Sequence, residues 1–161
     1  MSSSLDEMYR EVILDHFRSP RGRKPLAKVD ITTDGINPSC GDELALHAQV
    51  EDGILKDVHV DCKGCAISVA SGSMLAAAVK GRPFAEVLRL AEAVRKMLKG
   101  EEDAALPEEF EDVEALKGVR QFPVRVKCAL LAWVTLIEGL KNYQSGHGTD
   151  KARVSTENEK T

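Results

Sequence analysis

Between residues 44 and 62, apolar side chains recur at every second position. Leu44, Leu46, Ala48 and Val50 make a first run; Ile54, Val58, Val60 and Cys62 make a second, broken on its apolar face by Lys56 near the start. A period of two is the mark of a half-buried strand. Asp52-Gly53 separates the runs, and this dipeptide favours the positive-φ turn that closes a hairpin. "VDITTDG", residues 29–35, predicts a further strand ahead of it.

From Cys65 the period changes to that of helices. "CAISVASGSMLAAAVKG" is rich in small residues and predicts a closely packed helix ending near Gly81. "PFAEVLRLAEAVRKML" predicts a second, with Pro83 in its first turn and Val87, Leu90, Ala91, Val94 and Leu98 on one side. Phe110, Val113 and Leu116 mark a short helix, and "FPVRVKCALLAWVTLIEGLKNY" a long central one that starts near Pro123. At the other end Leu5, Met8, Val12, Ile13 and Phe17 predict a helix over 5–18, with Ser4 and Glu7 at capping-box spacing. "RSPRGRKP", residues 18–25, reads as a loop, either a solvated linker or a docking surface for an acidic partner. "KGEEDAALPEE" reads as an acidic exposed loop, and the polar tail from Ser145 as disordered.

Strands first and helices afterwards predict an α+β fold: a small antiparallel sheet of about three strands with helices packed on one face. The alternating βαβ units of a doubly wound fold are missing. Residues 1–144 are read as one domain and 145–161 as its tail. The 161 residues, 43% hydrophobic and 30% charged, suffice for one core. A formal net charge of -4 gives no electrostatic footprint for nucleic acid. The N-terminal stretch has neither the apolar core of a signal peptide nor the acid-poor character of a transit peptide. The longest apolar run, Ala129 to Val134, is far short of a membrane span. The expected protein is soluble and cytoplasmic, with no nucleic-acid or membrane partner.

The chain has four cysteines. In a reducing compartment these are metal ligands or reactive thiols before they are disulfides. Cys40 falls in the Pro/Gly turn of "NPSCGDEL", Cys65 at a strand-to-helix junction, and Cys128 near the start of the last long helix. Element ends can bring separate segments together, and with Asp42 these three offer three sulfurs and one oxygen, a set that suits tetrahedral zinc. Three thiolates and a carboxylate around Zn2+ leave a negative site, and Arg125 and Lys127 beside Cys128 supply compensating charge. Plainer readings stand beside this one. A single cysteine is most often a small buried hydrophobe; Cys62 shares the parity of Val58 and Val60 and is expected in the core. Asp42 could be a turn former, His47 and His59 ordinary surface residues, and His16 and His147 have no context. "CKGC", residues 62–65, also has the spacing of a redox dithiol, without the upstream βαβ that a thioredoxin-like fold requires.

Together "NPSCGDE", "GCAISVASGSM", "RVKCALLAW" and the N-terminal "YREVILDHFRSPR" resemble the NifU/IscU family of iron-sulfur cluster scaffold proteins, over roughly Leu5 to Tyr143. Scaffold members carry histidine immediately before the third cysteine, where this chain has Lys127. That difference and the long interval between Cys65 and Cys128 are similar to the SufU-type subgroup. The resemblance implies a SufE/NifU-like fold and Zn2+ held by Cys40, Asp42, Cys65 and Cys128. It further implies that Cys40 accepts sulfur from a SufS-type cysteine desulfurase, with a downstream Suf scaffold or apo iron-sulfur proteins as recipients. Arg125 would balance charge or contact the partner. The position of Cys62 is not usually cysteine in the family, so it could compete for metal or resolve a persulfide. Two alternatives stay open: a scaffold that builds and transfers a [2Fe-2S] cluster on the same four residues, and a purely structural zinc.

Overall fold

The computed structural model describes residues 3–101, 106, 110–150 and 152–159, with the side chains of residues 3–5 and 111 outside that description. The side chain of Ser4 and most of the acidic 99–109 segment therefore fall outside it. The order is α1 (Ser3–Arg18), β1 (Ile31–Asn37), β2 (Asp42–Glu51), β3 (Ile54–Lys63), α2 (Ala66–Val79), β4 (Arg82–Pro83), α3 (Phe84–Lys99), α4 (Glu111–Glu114), α5 (Pro123–Gln144) and β5 (Ala152–Ser155). A 3-10 turn, Ala115–Val119, continues α4, and another, Thr156–Asn158, follows β5.

The period-two runs become the centre of the sheet. β2 and β3 pair antiparallel, and both Asp52 (φ 53°) and Gly53 (φ 75°) take the left-handed conformation that their two-residue turn demands. β1 pairs antiparallel with β2, from Ile31 opposite Ala48 to Asn37 opposite Asp42. The sheet has five strands in the order β4-β3-β2-β1-β5, and β5 runs parallel to β1. The expectation of about three antiparallel strands thus holds for the middle and misses both edges. β4 has two residues, too few to show any period, and Pro83, expected inside the first turn of α3, precedes that helix.

The polar tail from Ser145, read as disordered, carries β5. β5 is four residues in a polar context, and its order comes from contacts remote in sequence: pairing with β1, a buried Thr156, and Glu159 bonded to Arg95 Nε at 2.7 Å. Local composition cannot report such contacts.

One sheet face is buried beneath α2 and α5, which lie on β3 and on β1 and β2 respectively; α1 packs on α2 and α3 on α5. The other face carries the polar set, including His47 and His59, which stack at 5.9 Å between ring centroids. The helices under the sheet are apolar on nearly every side, as a buried layer requires. Trp133 in α5 is fully buried, and its indole N–H donates to Ser71 Oγ at 3.0 Å, joining α5 to α2. His16, without context in the sequence, is a buried clamp between helices: Nδ1 meets Ser73 Oγ of α2 at 2.7 Å and Nε2 meets Asp112 of α4 at 2.9 Å. The 18–25 loop is no free linker, because Gly22 O accepts the Val60 N–H at 2.8 Å and so covers part of β3.

α5 approaches β1 so closely that position 139 has no room for a side chain. A Cβ there would collide with Thr33 Oγ1 and lie 2.8 Å from Ile31 Cγ2, both on fully buried residues. Alanine would gain about 1 kcal/mol of helix propensity, and overpacking costs about 1–3 kcal/mol. Since neither neighbour can swing into solvent, packing wins. Gly139→Ala is expected to lower unfolding free energy by up to about 2 kcal/mol, read as a lower urea midpoint with unchanged slope; a higher midpoint would contradict this packing.

Candidate metal centre

Three elements converge at one end of the sheet. The β1–β2 turn is short because Asn37 and Asp42 are paired residues, and the Asn37 carbonyl accepts the N–H groups of Cys40 (3.3 Å) and Gly41 (2.9 Å). Gly41 has φ 75°, and a Cβ there would meet nothing within 4 Å, so the backbone conformation rather than space calls for glycine. The turn leaves Cys40 exposed and places Asp42 inside, 1% exposed.

A buried carboxylate needs partners. Asp42 Oδ2 accepts from Asn37 Nδ2 at 3.0 Å, and Oδ1 accepts from the Cys65 backbone N–H at 3.0 Å. Cys65 is the residue just ahead of α2, where backbone N–H groups are unspent and favour negative charge. The approach is close: a Cβ at position 64 would collide with the Asp42 carboxylate and lie 2.8 Å from Ser68 Oγ. Gly64 thus belongs to the site although its φ is ordinary.

Cys128 enters from the second turn of α5, fully buried, with its Sγ 3.4 Å from Cys40 Sγ and 3.5 Å from Asn37 Nδ2. Ligand atoms of Cys40, Asp42 and Cys128 all lie within 4.8 Å of one another. Two sulfurs bound tetrahedrally to one zinc at about 2.3 Å stand about 3.8 Å apart, so this spacing fits. The donor set fits as well: burial, then the neighbouring Cys40, Cys65 and Asp42 groups, push the Cys128 thiol far above its ordinary range. A buried thiol held protonated among such neighbours is one that a thiophilic dication would stabilise as thiolate.

Cys65 stands differently. Its sulfur is outside that mutual set and lies 3.7 Å from Ser68 Oγ, while its backbone fixes Asp42. It still faces the same space, for the Cys65, Cys128 and Cys40 sulfurs together hold the exposed Arg125 guanidinium more firmly protonated. Cys62 points into the core from β3, opposite Leu44, and burial pushes its thiol up to about 11. The sequence reading missed two residues. Asn37 was within a quoted motif but offered no sign of its bond to Asp42; Thr156, whose hydroxyl donates to Asn37 Oδ1 at 2.8 Å, had no local signal at all.

Beside the centre, α1, the start of α2 and the start of α5 enclose a cavity of about 350 Å³ lined by Tyr9, Ile13, Ile67, Phe122 and Arg125, among others. Phe122 in this lining is 55% exposed, and Val124 in the first turn of α5 is 65% exposed. Among the described residues no helix is long and apolar enough to cross a membrane.

An α+β fold with two cysteines and a buried aspartate gathered at a sheet end defines a protein of thiolate–carboxylate metal chemistry. The chain belongs to the family of the NifU-like N terminal domain, whose profile matches residues 8–150. It is 37% identical over 147 residues to the zinc-dependent sulfurtransferase SufU of Bacillus subtilis, covering 91% of this chain and 98% of that protein. It is 39% identical over 135 residues to the iron-sulfur cluster assembly scaffold protein IscU of Thermotoga maritima, covering 83% and 93%. The crystal structure of a nitrogen-fixing NifU-like protein (N-terminal) from Brucella abortus superposes with a TM-score of 0.77 at 25% identity, covering 88% of this chain and 97% of that one.

Of the four free thiols, exposed Cys40 and buried Cys62 should react differently. With a pKa of about 11, Cys62 is thiolate to only about one part in ten thousand at neutral pH, and it is shielded besides. In metal-free protein, iodoacetamide is expected to modify exposed Cys40 and leave Cys62 intact until the chain unfolds, as read by peptide mass spectrometry. Labelling of Cys62 as fast as Cys40 would refute the placement of β3.

Proposed function

We propose that this protein is a zinc-dependent sulfur acceptor, a sulfurtransferase that takes persulfide sulfur from a cysteine desulfurase for iron-sulfur cluster assembly. The observation that carries the reading is the asymmetry of the pair at the centre: exposed Cys40 3.4 Å from buried Cys128. A structural zinc site closes all four positions, whereas a site that does chemistry keeps one within reach. Here Cys40 is presented on an exposed turn, Cys65 is half-buried and Cys128 is withdrawn. The 37% identity to a zinc-dependent sulfurtransferase supports the same reading.

Cys40, Asp42 and Cys128 would hold the zinc, with Cys65 turning its sulfur from Ser68 to complete the set. Zinc bound there supplies the positive charge that keeps the thiols deprotonated at neutral pH. The Cys40 thiolate attacks the terminal sulfur of the desulfurase persulfide. A new S–S bond forms on Cys40 as the donor's S–S bond breaks, and the donor cysteine leaves as thiolate, with no net oxidation or reduction. Arg125, exposed beside the sulfurs, balances their charge and faces the incoming partner. Exposed Phe122 and Val124 at the start of α5 give that partner an apolar place to dock. The sulfur would then pass to a downstream Suf scaffold or an apo iron-sulfur protein.

A second reading, assembly of a [2Fe-2S] cluster on the same ligands, is favoured by the 39% identity to an iron-sulfur cluster assembly scaffold. Native mass spectrometry of anaerobically purified protein separates the two. The sulfurtransferase reading expects one zinc per chain and added sulfur after incubation with desulfurase and cysteine. That sulfur should be lost in Cys40→Ala and kept in Cys62→Ala. A cluster mass transferable to an apo acceptor establishes the scaffold instead.

A further inference from the structure

The C-terminal segment reaches the metal centre through one side chain. β5 follows β1 in parallel from Thr33 beside Ala152 to Ile36 beside Ser155, and the next residue, fully buried Thr156, meets Asn37 at the end of β1. Its hydroxyl donates to Asn37 Oδ1 at 2.8 Å. The Asn37 amide nitrogen faces the other way, donating to Asp42 Oδ2 at 3.0 Å and towards Cys128 Sγ at 3.5 Å. Past Thr156 the chain is fastened again, Glu159 bonding Arg95 Nε at 2.7 Å and lying 3.5 Å from Lys99 Nζ, both on α3.

Chemistry fixes the orientation of this amide. An ionised carboxylate only accepts, so the amide must turn its NH2 group to Asp42, and its carbonyl oxygen then points at Thr156. Asn37, Asp42 and Thr156 are each no more than 1% exposed, so water is a poor substitute for any link. Removing the hydroxyl leaves a buried carbonyl oxygen without a donor. The amide then gains by tilting away, and Asp42 loses its hold on Oδ2.

We infer that Thr156 is a positioning residue for the metal centre, and that the C-terminal tail, seated on β1 and α3, sets through Asn37 how firmly Asp42 and Cys128 hold their metal. This rests on the zinc reading above. The tail thereby acts on the ligand set from outside it. A partner or modification that unseats residues 152–159 would loosen the centre without touching a ligand.

The test uses the full chain loaded with one zinc and mixed with excess pyridylazoresorcinol, whose colour reports zinc release. Outer hydrogen bonds to metal ligands are worth about 10–100-fold in metal affinity, and Thr156 acts one link further out. Thr156→Val, which keeps shape and removes the hydroxyl, is therefore expected to release zinc about tenfold faster. Thr156→Ser, which restores the hydroxyl, is expected to release it at the wild-type rate. If Thr156→Val does not fold, Glu159→Gln takes its place, weakening the tail's anchor on α3 and again speeding release. Release from Thr156→Val no faster than wild type, or equally fast from Thr156→Ser, overturns the inference and leaves the zinc reading standing. A wild-type chain that retains no zinc overturns both.

Discussion

The buried carboxylate of Asp42 is the constraint around which this end of the molecule is organised. A carboxylate with 1% exposure must have its oxygens met by hydrogen bonds. Its two partners come from different elements, Asn37 at the end of β1 and the Cys65 N–H just ahead of α2. Meeting the demand of one side chain therefore fixes the β1–β2 turn against the start of α2. It also explains Gly64, where a Cβ would occupy the carboxylate's place. The cysteines inherit their positions from this arrangement: Cys40 lies two residues before Asp42, and Cys65 supplies one of its bonds.

Electrostatics gives the centre its character. Cys40, Cys65, Cys128 and Asp42 would all carry the same sign, and Cys128 answers by clinging to its proton, through burial first and its neighbours second. Arg125 is the cation that responds to all three sulfurs, and it is exposed, so its compensation is screened by solvent. A site built this way is stable either with its thiols protonated or with a dication present. Since the group of Cys40, Asp42 and Cys128 draws on the β1–β2 turn and on α5, a metal bound there would also join the sheet to that helix.

What the sequence disclosed was whatever depends on near neighbours. The β2–β3 hairpin follows from period-two alternation and Asp52-Gly53, and α5 from an apolar run opened by Pro123. The core position of Cys62 follows from its parity with Val58 and Val60. The cysteine and aspartate candidates were legible because their residue types are rare at turns and element ends without a reason. The contacts that support them were not. Asn37 looks like any turn asparagine, His16 like any helix histidine, and Thr156 like part of a polar tail. Each has its role through a partner 5 to 119 residues away. β5 shows the same limit, since four residues of mixed polarity become a strand only because β1 offers an unpaired edge.

That edge connects the fold to its chemistry. β1 has β2 on one side, and its other side would present open N–H and C=O groups next to the metal centre. Covering it with residues from the chain's own far end removes a pairing hazard and, in the same step, carries Thr156 to Asn37. The ion pairs of Glu159 with Arg95 and Lys99 lie on α3, away from the ligands, so the tail's seat is partly decided at a distance from the site it supports. A rigid hairpin supplies Asp42, a buried helix supplies Cys128, and the least locally determined strand supplies the outermost link. On the zinc reading proposed above, this arrangement would let the centre hold its metal while the exposed Cys40 sulfur meets a partner.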